Sequence, residues 1–268
     1  MGKHNVSLDS SLDEQHIVDR CLLKKMIDLA EIKKTEIVLE VGAGCGSITE
    51  FLARRAKKVY AIEKSRKFLP ILKDKLKRYQ NVHVVVGDAT KIKFPRFDKI
   101  VSNLPYSTCE ALIHKLIRYD FRAAVFIVPM SFARTIVANP QDPGYSKLSM
   151  KMSFFYNAQV EEIIQPNAYI PTQKAYTALL RMTPITRSDL KTCIFQGLFL
   201  QTDKKMKNAL RKALIDSYRS VLEKGLTKRE AKKIIDSYSI DPRLLEIKVA
   251  RLSLEEIREI FDRISERS

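Results

Sequence analysis

Residues 36–55 constrain the fold more than any other stretch of the chain. Glu36-Ile-Val-Leu-Glu-Val41 is short, apolar and rich in β-branched side chains, and it runs straight into Gly42-Ala-Gly-Cys-Gly46. Ser47 to Arg55 then carries a helical pattern. A buried strand that breaks at a glycine turn and restarts as a helix opens a parallel strand–helix–strand unit. The alternation continues downstream. Val59–Glu63, Val82–Val86, Phe97–Val101 and Ala123–Val128 read as strands, and Lys67–Gln80, Glu110–Tyr119 and Phe132–Ala138 as helices. Ahead of them, Glu14 to Ala30 has the apolar face of a helix. Met150–Gln165 reads as extended and Tyr176–Met182 as a last strand, giving the sheet a mixed edge. The expected class is α/β, a Rossmann-like sheet wound on both faces.

No strand pattern follows Thr183-Pro184. Ser188–Leu200, Met206–Glu223, Thr227–Ile235 and Ser253–Arg263 read as helices. Thr227 with Glu230, and Ser253 with Glu256, fit the capping box, in which a hydroxyl and a carboxylate three residues on satisfy each other's backbone donors. The boundary is therefore expected near 185, with a sheet domain over 1–185 and a smaller all-α domain over 186–268.

Charge narrows the partners. The 268 residues carry 48 Lys and Arg against 31 Asp and Glu, a formal +17. Such an excess suits a polyanion, and nucleic acid is the usual one. Residues 186–268 hold +6 of it and residues 1–185 the other +11, so the polyanion is expected to lie across the sheet domain itself. No stretch approaches the ~20 apolar residues of a membrane span, and Met1–Asp13 lacks an apolar signal core. Cys21, Cys45, Cys109 and Cys193 are scattered, without the paired spacing of a metal or redox site. A reduced, cytoplasmic protein without a metal is expected.

The glycine loop selects the ligand. A dinucleotide fingerprint would place its third glycine at position 47, where this chain has Ser47, and no Gly-Lys-Ser/Thr ending marks a triphosphate loop. Instead Glu40 stands immediately before Gly42, Gly44 and Gly46, which suits a ligand carrying positive charge. S-adenosylmethionine, with a sulfonium and an ammonium, matches. Glu63 ends the next strand, where a carboxylate can accept from a ribose diol. Asp88 ends the one after and can accept from an adenine amino group. Lys64 and Ala89 adjoin these acids and, with Asn103 at the next strand end, join the candidate cofactor set. Ser102-Asn103-Leu104-Pro105-Tyr106 ends the fourth strand with a neutral amide, a fixed backbone and a flat ring, a combination that can hold a planar base carrying an amino nitrogen. Ligands of open α/β sheets bind at the carboxyl ends of strands, so these features should converge.

These motifs resemble the small-subunit ribosomal RNA adenine dimethyltransferases, relatives of the kasugamycin- and erythromycin-resistance methyltransferases. The likeness runs from about Leu12 to Met182. Gln15-His-Ile-Val-Asp19 resembles the family's Gln-His/Asn-Phe-Leu-x-Asp, with Ile17 replacing the aromatic residue; it implies that Gln15 contacts the cofactor. Ala168-Tyr-Ile-Pro-Thr-Gln-Lys174 resembles Ala-Phe-x-Pro-x-Pro-Lys, with Tyr169 for the phenylalanine and Gln173 for the second proline. It implies that Tyr169 packs on the target base opposite Tyr106. Pro129-Met-Ser-Phe-Ala133 departs from the usual Gln-Lys-Glu-Val-Ala, whereas Tyr145-Ser-Lys-Leu-Ser149 resembles the Tyr-Gly-x-Leu-Ser that follows.

The resemblance implies transfer of methyl groups from S-adenosylmethionine to N6 of two adjacent adenosines near the 3′ end of small-subunit rRNA. The implied setting is a pre-30S-type particle, with the enzyme a monomer and its helical domain aiding RNA recognition. Asn103 and the Leu104 carbonyl would accept the two amino hydrogens, with Pro105 fixing that carbonyl. The competing expectations are a large-subunit methyltransferase of the resistance type, a DNA or small-molecule methyltransferase, and a ribosome-assembly or transcription factor that keeps the fold without catalysis.

Overall fold

The structure, a computed structural model, describes residues 16–17, 19–186 and 189–266. The chain divides into two units, Met1–Val137 with Asn157–Pro184, and Ala138–Tyr156 with Ile185–Ser268. The strands are β1 (His16–Ile17), β2 (Ile37–Val41), β3 (Lys58–Glu63), β4 (Val82–Val86), β5 (Lys99–Asn103), β6 (Ala123–Pro129), β7 (Tyr156–Ile164), β8 (Tyr169–Ile170) and β9 (Thr177–Pro184). Seven form one sheet in the order β4-β3-β2-β5-β6-β9-β7. The β4, β3, β2, β5 and β6 ladders are parallel, and β9 joins β6 antiparallel, which is the mixed edge expected.

In the first unit the helices are α1 (Arg20–Leu29), α2 (Ser47–Arg55), α3 (Leu69–Leu76), α4 (Cys109–Leu116) and α5 (Met130–Val137). One buried cluster joins α1 and α2 to the central strands through Met26, Leu52, Val38, Val101 and Val125. Another packs Phe68, Leu72 and Leu76 against Ala43 and Ala61. Both bury leucine side chains along the strand–helix alternation read from the sequence, and the first adds β-branched ones.

Two expectations for this unit change. The helix expected over 14–30 begins at Arg20, because Asp19 caps it: its Oδ1 accepts from the Cys21 and Leu22 N–H groups at 2.8 and 3.1 Å. His16 and Ile17 instead pair antiparallel with Ile170 and Tyr169. The helix expected over 67–80 is shorter, a 3-10 turn at Arg66–Phe68 followed by α3.

The second unit holds α6 (Lys147–Phe155), α7 (Leu190–Phe199), α8 (Met206–Val221), α9 (Lys228–Ser237), α10 (Pro242–Glu246) and α11 (Leu254–Ser265). Here 150–155 is helical, contrary to the extended reading of 150–165. Ser146 and Ser149 form a reciprocal capping box that starts the helix. Phe154 then packs 4.9 Å from Phe195 and 5.5 Å from Phe261, ring centre to ring centre, and its carbonyl accepts from Gln196 Nε2 at 2.6 Å. Lys147 Nζ donates to the Leu252 carbonyl at 3.0 Å. These contacts group 138–156 with the carboxy-terminal helices, where the sequence placed a single cut at 185. Both expected capping boxes form, at Thr227 with Glu230 and at Ser253 with Glu256.

Candidate active site

The site begins where β2 and β5 part. Their ladder pairs Val38 with Lys99 and Leu39 with Ile100, and goes no further. Beyond it, the Val41 N–H donates to the buried Ser102 Oγ at 2.8 Å, which satisfies the strand end without closing the gap. Chain connections leave in opposite directions here, β3 lying on one side of β2 and β5 on the other. Such a switch point opens a crevice at the carboxyl ends of the strands. A cavity of about 480 Å³ occupies it.

The structure brings most of the sequence-derived residues to this one cavity. Glu40, Gly42, Gly44, Glu63, Lys64, Asp88 and Ala89 line it, and so do Asn103, Leu104, Pro105 and Tyr106. Gly46 does not line it. It sits at the amino terminus of α2 with φ +74°, and its α-carbon faces Leu72. Gly42, at φ +77°, lets the turn pass the acceptor strand closely: a β-carbon there would stand 3.5 Å from Pro105 Cδ and 3.6 Å from the Asn103 carbonyl oxygen.

Glu40 is the electrostatic anomaly of the cavity. It is 1% exposed, and neither carboxylate oxygen has a hydrogen-bond partner. Burial lifts its carboxyl from 4.5 to about 8; Thr49 approaches without completing a bond and opposes the rise, and the charge of Glu63 adds to it. A buried, unpartnered carboxyl calls for a cationic ligand group.

Glu63 has a different job. Its Oε2 accepts from the Gly44 N–H at 2.7 Å and its Oε1 from the Ser65 N–H at 2.7 Å, so it clasps the glycine turn to the end of β3. A carboxylate has about four lone-pair sites, so capacity remains for a diol. Asp88 Oδ1 accepts from the Thr90 hydroxyl and N–H, and Oδ2 pairs with Lys64 Nζ at 3.2 Å; these bonds, led by the hydroxyl, pull its carboxyl down to about 2.

At the acceptor end the Leu104 N–H donates to the Ile127 carbonyl at 3.0 Å, anchoring the motif to β6. The Pro105 carbonyl accepts from the Thr108 N–H and hydroxyl, both at 3.0 Å. The Tyr106 hydroxyl donates to Gln173 Oε1, and the buried Gln173 also lines the cavity. Gln173 entered the sequence reading only as a departure from a proline; its polarity at a position next to an aromatic–proline motif was the available signal. Ile17, which stands in the Gln15–Asp19 motif, and Phe68 also line the cavity, and nothing in the local pattern of Phe68 separated it from an ordinary core residue.

Tyr169 is not brought to the cavity. It is 1% exposed and packed in the core with Ile17, Leu22 and Leu179, and its hydroxyl shares a 2.7 Å hydrogen bond with Thr177 Oγ1. The structure leaves the stacking role expected for Tyr169 without support. Gln15 lies outside the described residues. Among the described residues no group of His, Cys, Asp and Glu could hold a metal ion, and no helix is long and apolar enough to cross a membrane.

The residues fit S-adenosylmethionine: an orphaned acid for a cationic amino-acid end, a tight glycine turn beside it that lets a ligand approach the backbone, and two strand-end carboxylates for a nucleoside. The comparisons agree with that fit. The model of the family described as ribosomal RNA adenine dimethylase matches residues 5–249. A probable ribosomal RNA small subunit methyltransferase A from Thermococcus sibiricus is 37% identical over 263 residues, 97% of this chain and 93% of its own. One so named from Methanosphaera stadtmanae is 32% identical over 97% of this chain and 94% of its own. Among solved structures, a dimethyladenosine transferase from Plasmodium falciparum has a TM-score of 0.63 and 25% identity, covering 92% of this chain and 96% of that one. The 23S rRNA methyltransferase ErmE shares the fold, with a TM-score of 0.61 at 20% identity over 93% of this chain and 99% of its own. This chain belongs to the ribosomal RNA adenine dimethylase family, enzymes that methylate adenine of rRNA with S-adenosylmethionine as the donor.

Proposed function

We propose that the chain dimethylates N6 of two adjacent adenosines near the 3′ end of small-subunit rRNA, acting as a monomer in the cytoplasm on a pre-30S-type particle. The observation that carries the mechanism is one cavity lined both by an unpartnered buried acid, Glu40, and by Asn103-Leu104-Pro105-Tyr106. The small-subunit assignment draws support from the Thermococcus and Methanosphaera relatives, which align over nearly the whole chain.

S-adenosylmethionine, when bound, supplies an electrophilic methyl carbon on a sulfonium. Glu40 would hold its cationic amino-acid end, Glu63 its ribose diol and Asp88 its adenine amino group. The adenine amino nitrogen of the RNA is a poor nucleophile because its lone pair is delocalised into the ring. The Asn103 side-chain oxygen and the Leu104 carbonyl accept its two hydrogens, which favours a pyramidal nitrogen with a localised lone pair. Tyr106 stacks on the base, a contact worth ~1–3 kcal/mol. No strong base is needed beforehand, since the proton leaves once the nitrogen is cationic. Alignment of the reactants supplies most of the rate, roughly 7–11 kcal/mol at best. The target base must be unpaired or extruded to reach Asn103. The unit of 1–137 with 157–184 carries the chemistry, and the helices of 186–268 add recognition of the RNA.

The test is incubation of unmodified small subunits with labelled S-adenosylmethionine, followed by nucleoside analysis. Dimethyladenosine is expected with the wild type. Asn103→Ala is expected to abolish transfer while S-adenosylhomocysteine binding persists. Label confined to large subunits would assign the resistance-type activity, and no dimethyladenosine despite normal cofactor binding would overturn the proposal.

A further inference from the structure

Asp88 reaches the cavity from a loop that is anchored by a residue outside the cavity. After Gly87 the chain turns tightly, with the Lys91 and Ile92 N–H groups both donating to the Asp88 carbonyl, at 2.9 and 3.0 Å. Lys115, near the carboxyl end of α4, gathers two other carbonyls of the same turn. Its Nζ donates to the Ala89 oxygen at 2.6 Å and to the Ile92 oxygen, and it stands 4.0 Å from the centre of the Phe94 ring. Phe94 is itself fixed: it is buried, its N–H donates to the Tyr119 hydroxyl at 3.1 Å, and its ring packs on Phe97 and Tyr119. An ammonium holding two carbonyls over an aromatic face is a strong local clamp.

The same helix holds the acceptor motif at its other end. Just ahead of α4, Thr108 donates to the Pro105 carbonyl, and Cys109 Sγ, in its first turn, lies 3.5 Å from that oxygen. One eight-residue helix therefore ties down Pro105 at its start and the Asp88 turn at its end.

We propose that Lys115 is a positioning residue that sets the Asp88–Ala89 turn against the adenine of the methyl donor, a role that rests on the cofactor assignment of Asp88. Fixed in place, the Asp88 carboxylate accepts from a 6-amino group and repels a 6-carbonyl. Without Lys115 the Ala89 and Ile92 carbonyls lose their donor, the turn shifts to find others, and that selectivity falls.

The experiment measures binding of S-adenosylhomocysteine and of its inosine analogue, which carries a carbonyl in place of the amino group, by calorimetry on the full chain. Wild type is expected to prefer the adenine form by at least tenfold. Lys115→Met is expected to weaken the adenine form about tenfold and the inosine form less than threefold, with faster amide exchange at Lys91 and Ile92. Lys115→Gln, which keeps a donor for one carbonyl, is expected to be intermediate and serves where the methionine variant does not fold. Unchanged affinities in the variants, or equal weakening of both ligands, would overturn the role of Lys115. A wild type that binds both analogues equally would instead overturn the assignment of Asp88 and this role with it.

Discussion

Replacing Glu40 by Gln should stabilise the ligand-free protein, and increasingly so as pH rises. In the folded chain burial holds the carboxyl at about 8, against 4.5 when solvated. Between those two values the folded state keeps a proton that the unfolded state has released, so stability falls with rising pH across that window and levels off above it. One proton corresponds to about 1.4 kcal/mol per pH unit. The penalty therefore grows from on the order of 1 kcal/mol at pH 5.5 to on the order of 5 kcal/mol above pH 8. Glutamine has nearly the same shape and does not titrate, and its own desolvation cost is the same at every pH. The gain of the variant over wild type should widen by about 3 kcal/mol between pH 5.5 and 8.5, or about 6 °C in Tm for a chain of this length. Asp88, held down at about 2, titrates well below this range and does not blur the slope. Thermal unfolding of both proteins, followed by circular dichroism across that range, is the assay. Parallel pH curves for the two would refute the argument that Glu40 is buried without a partner. The same variant should bind S-adenosylhomocysteine more weakly, since the group that strains the free protein is the one placed for a cationic ligand.

Glu63→Ala removes the acceptor of both the Gly44 and Ser65 N–H groups as well as the candidate diol contact, so S-adenosylhomocysteine affinity should fall at least tenfold; calorimetric equality with wild type would show the strand-end assignment to be mistaken. Gly46→Ala forces a β-carbon into a φ of +74° and to 3.0 Å from Leu72 Cδ2. It should cost about 1–2 kcal/mol in urea denaturation, and an unchanged midpoint would count against that backbone. Tyr106→Phe keeps the ring and removes the hydroxyl that donates to Gln173. KM for RNA should rise a few-fold with kcat nearly held, while Tyr106→Ala should lose the stacking itself, ~1–3 kcal/mol; equal effects of the two would refute a stacking role for the ring.

Elements whose signals are local could be read from the residues alone. The α2 and β4 boundaries coincide with the expected Ser47–Arg55 and Val82–Val86, because a glycine break, a capping position and a β-branched run act within a few residues. The strand-end placement of Glu40, Glu63, Asp88 and Asn103 was legible for the same reason: parallel strands joined by helices put all their carboxyl ends on one edge.

Other features depend on partners far along the chain and emerge only on folding. Residues 150–155 coil into a helix because Phe154 finds Phe195 and Phe261, which a window around 150 does not contain. Tyr169 is drawn into the core by Thr177 and Ile17 despite its place in an aromatic–proline motif. Lys115 looked like one cation among many until the fold laid it against the Ala89 and Ile92 carbonyls. The acidity of Glu40 was likewise set by folding. Its identity and its position before the glycines are properties of the sequence. Its stripped solvation, which gives the acid a reason to seek a cation, exists only once β2 and β5 part around it.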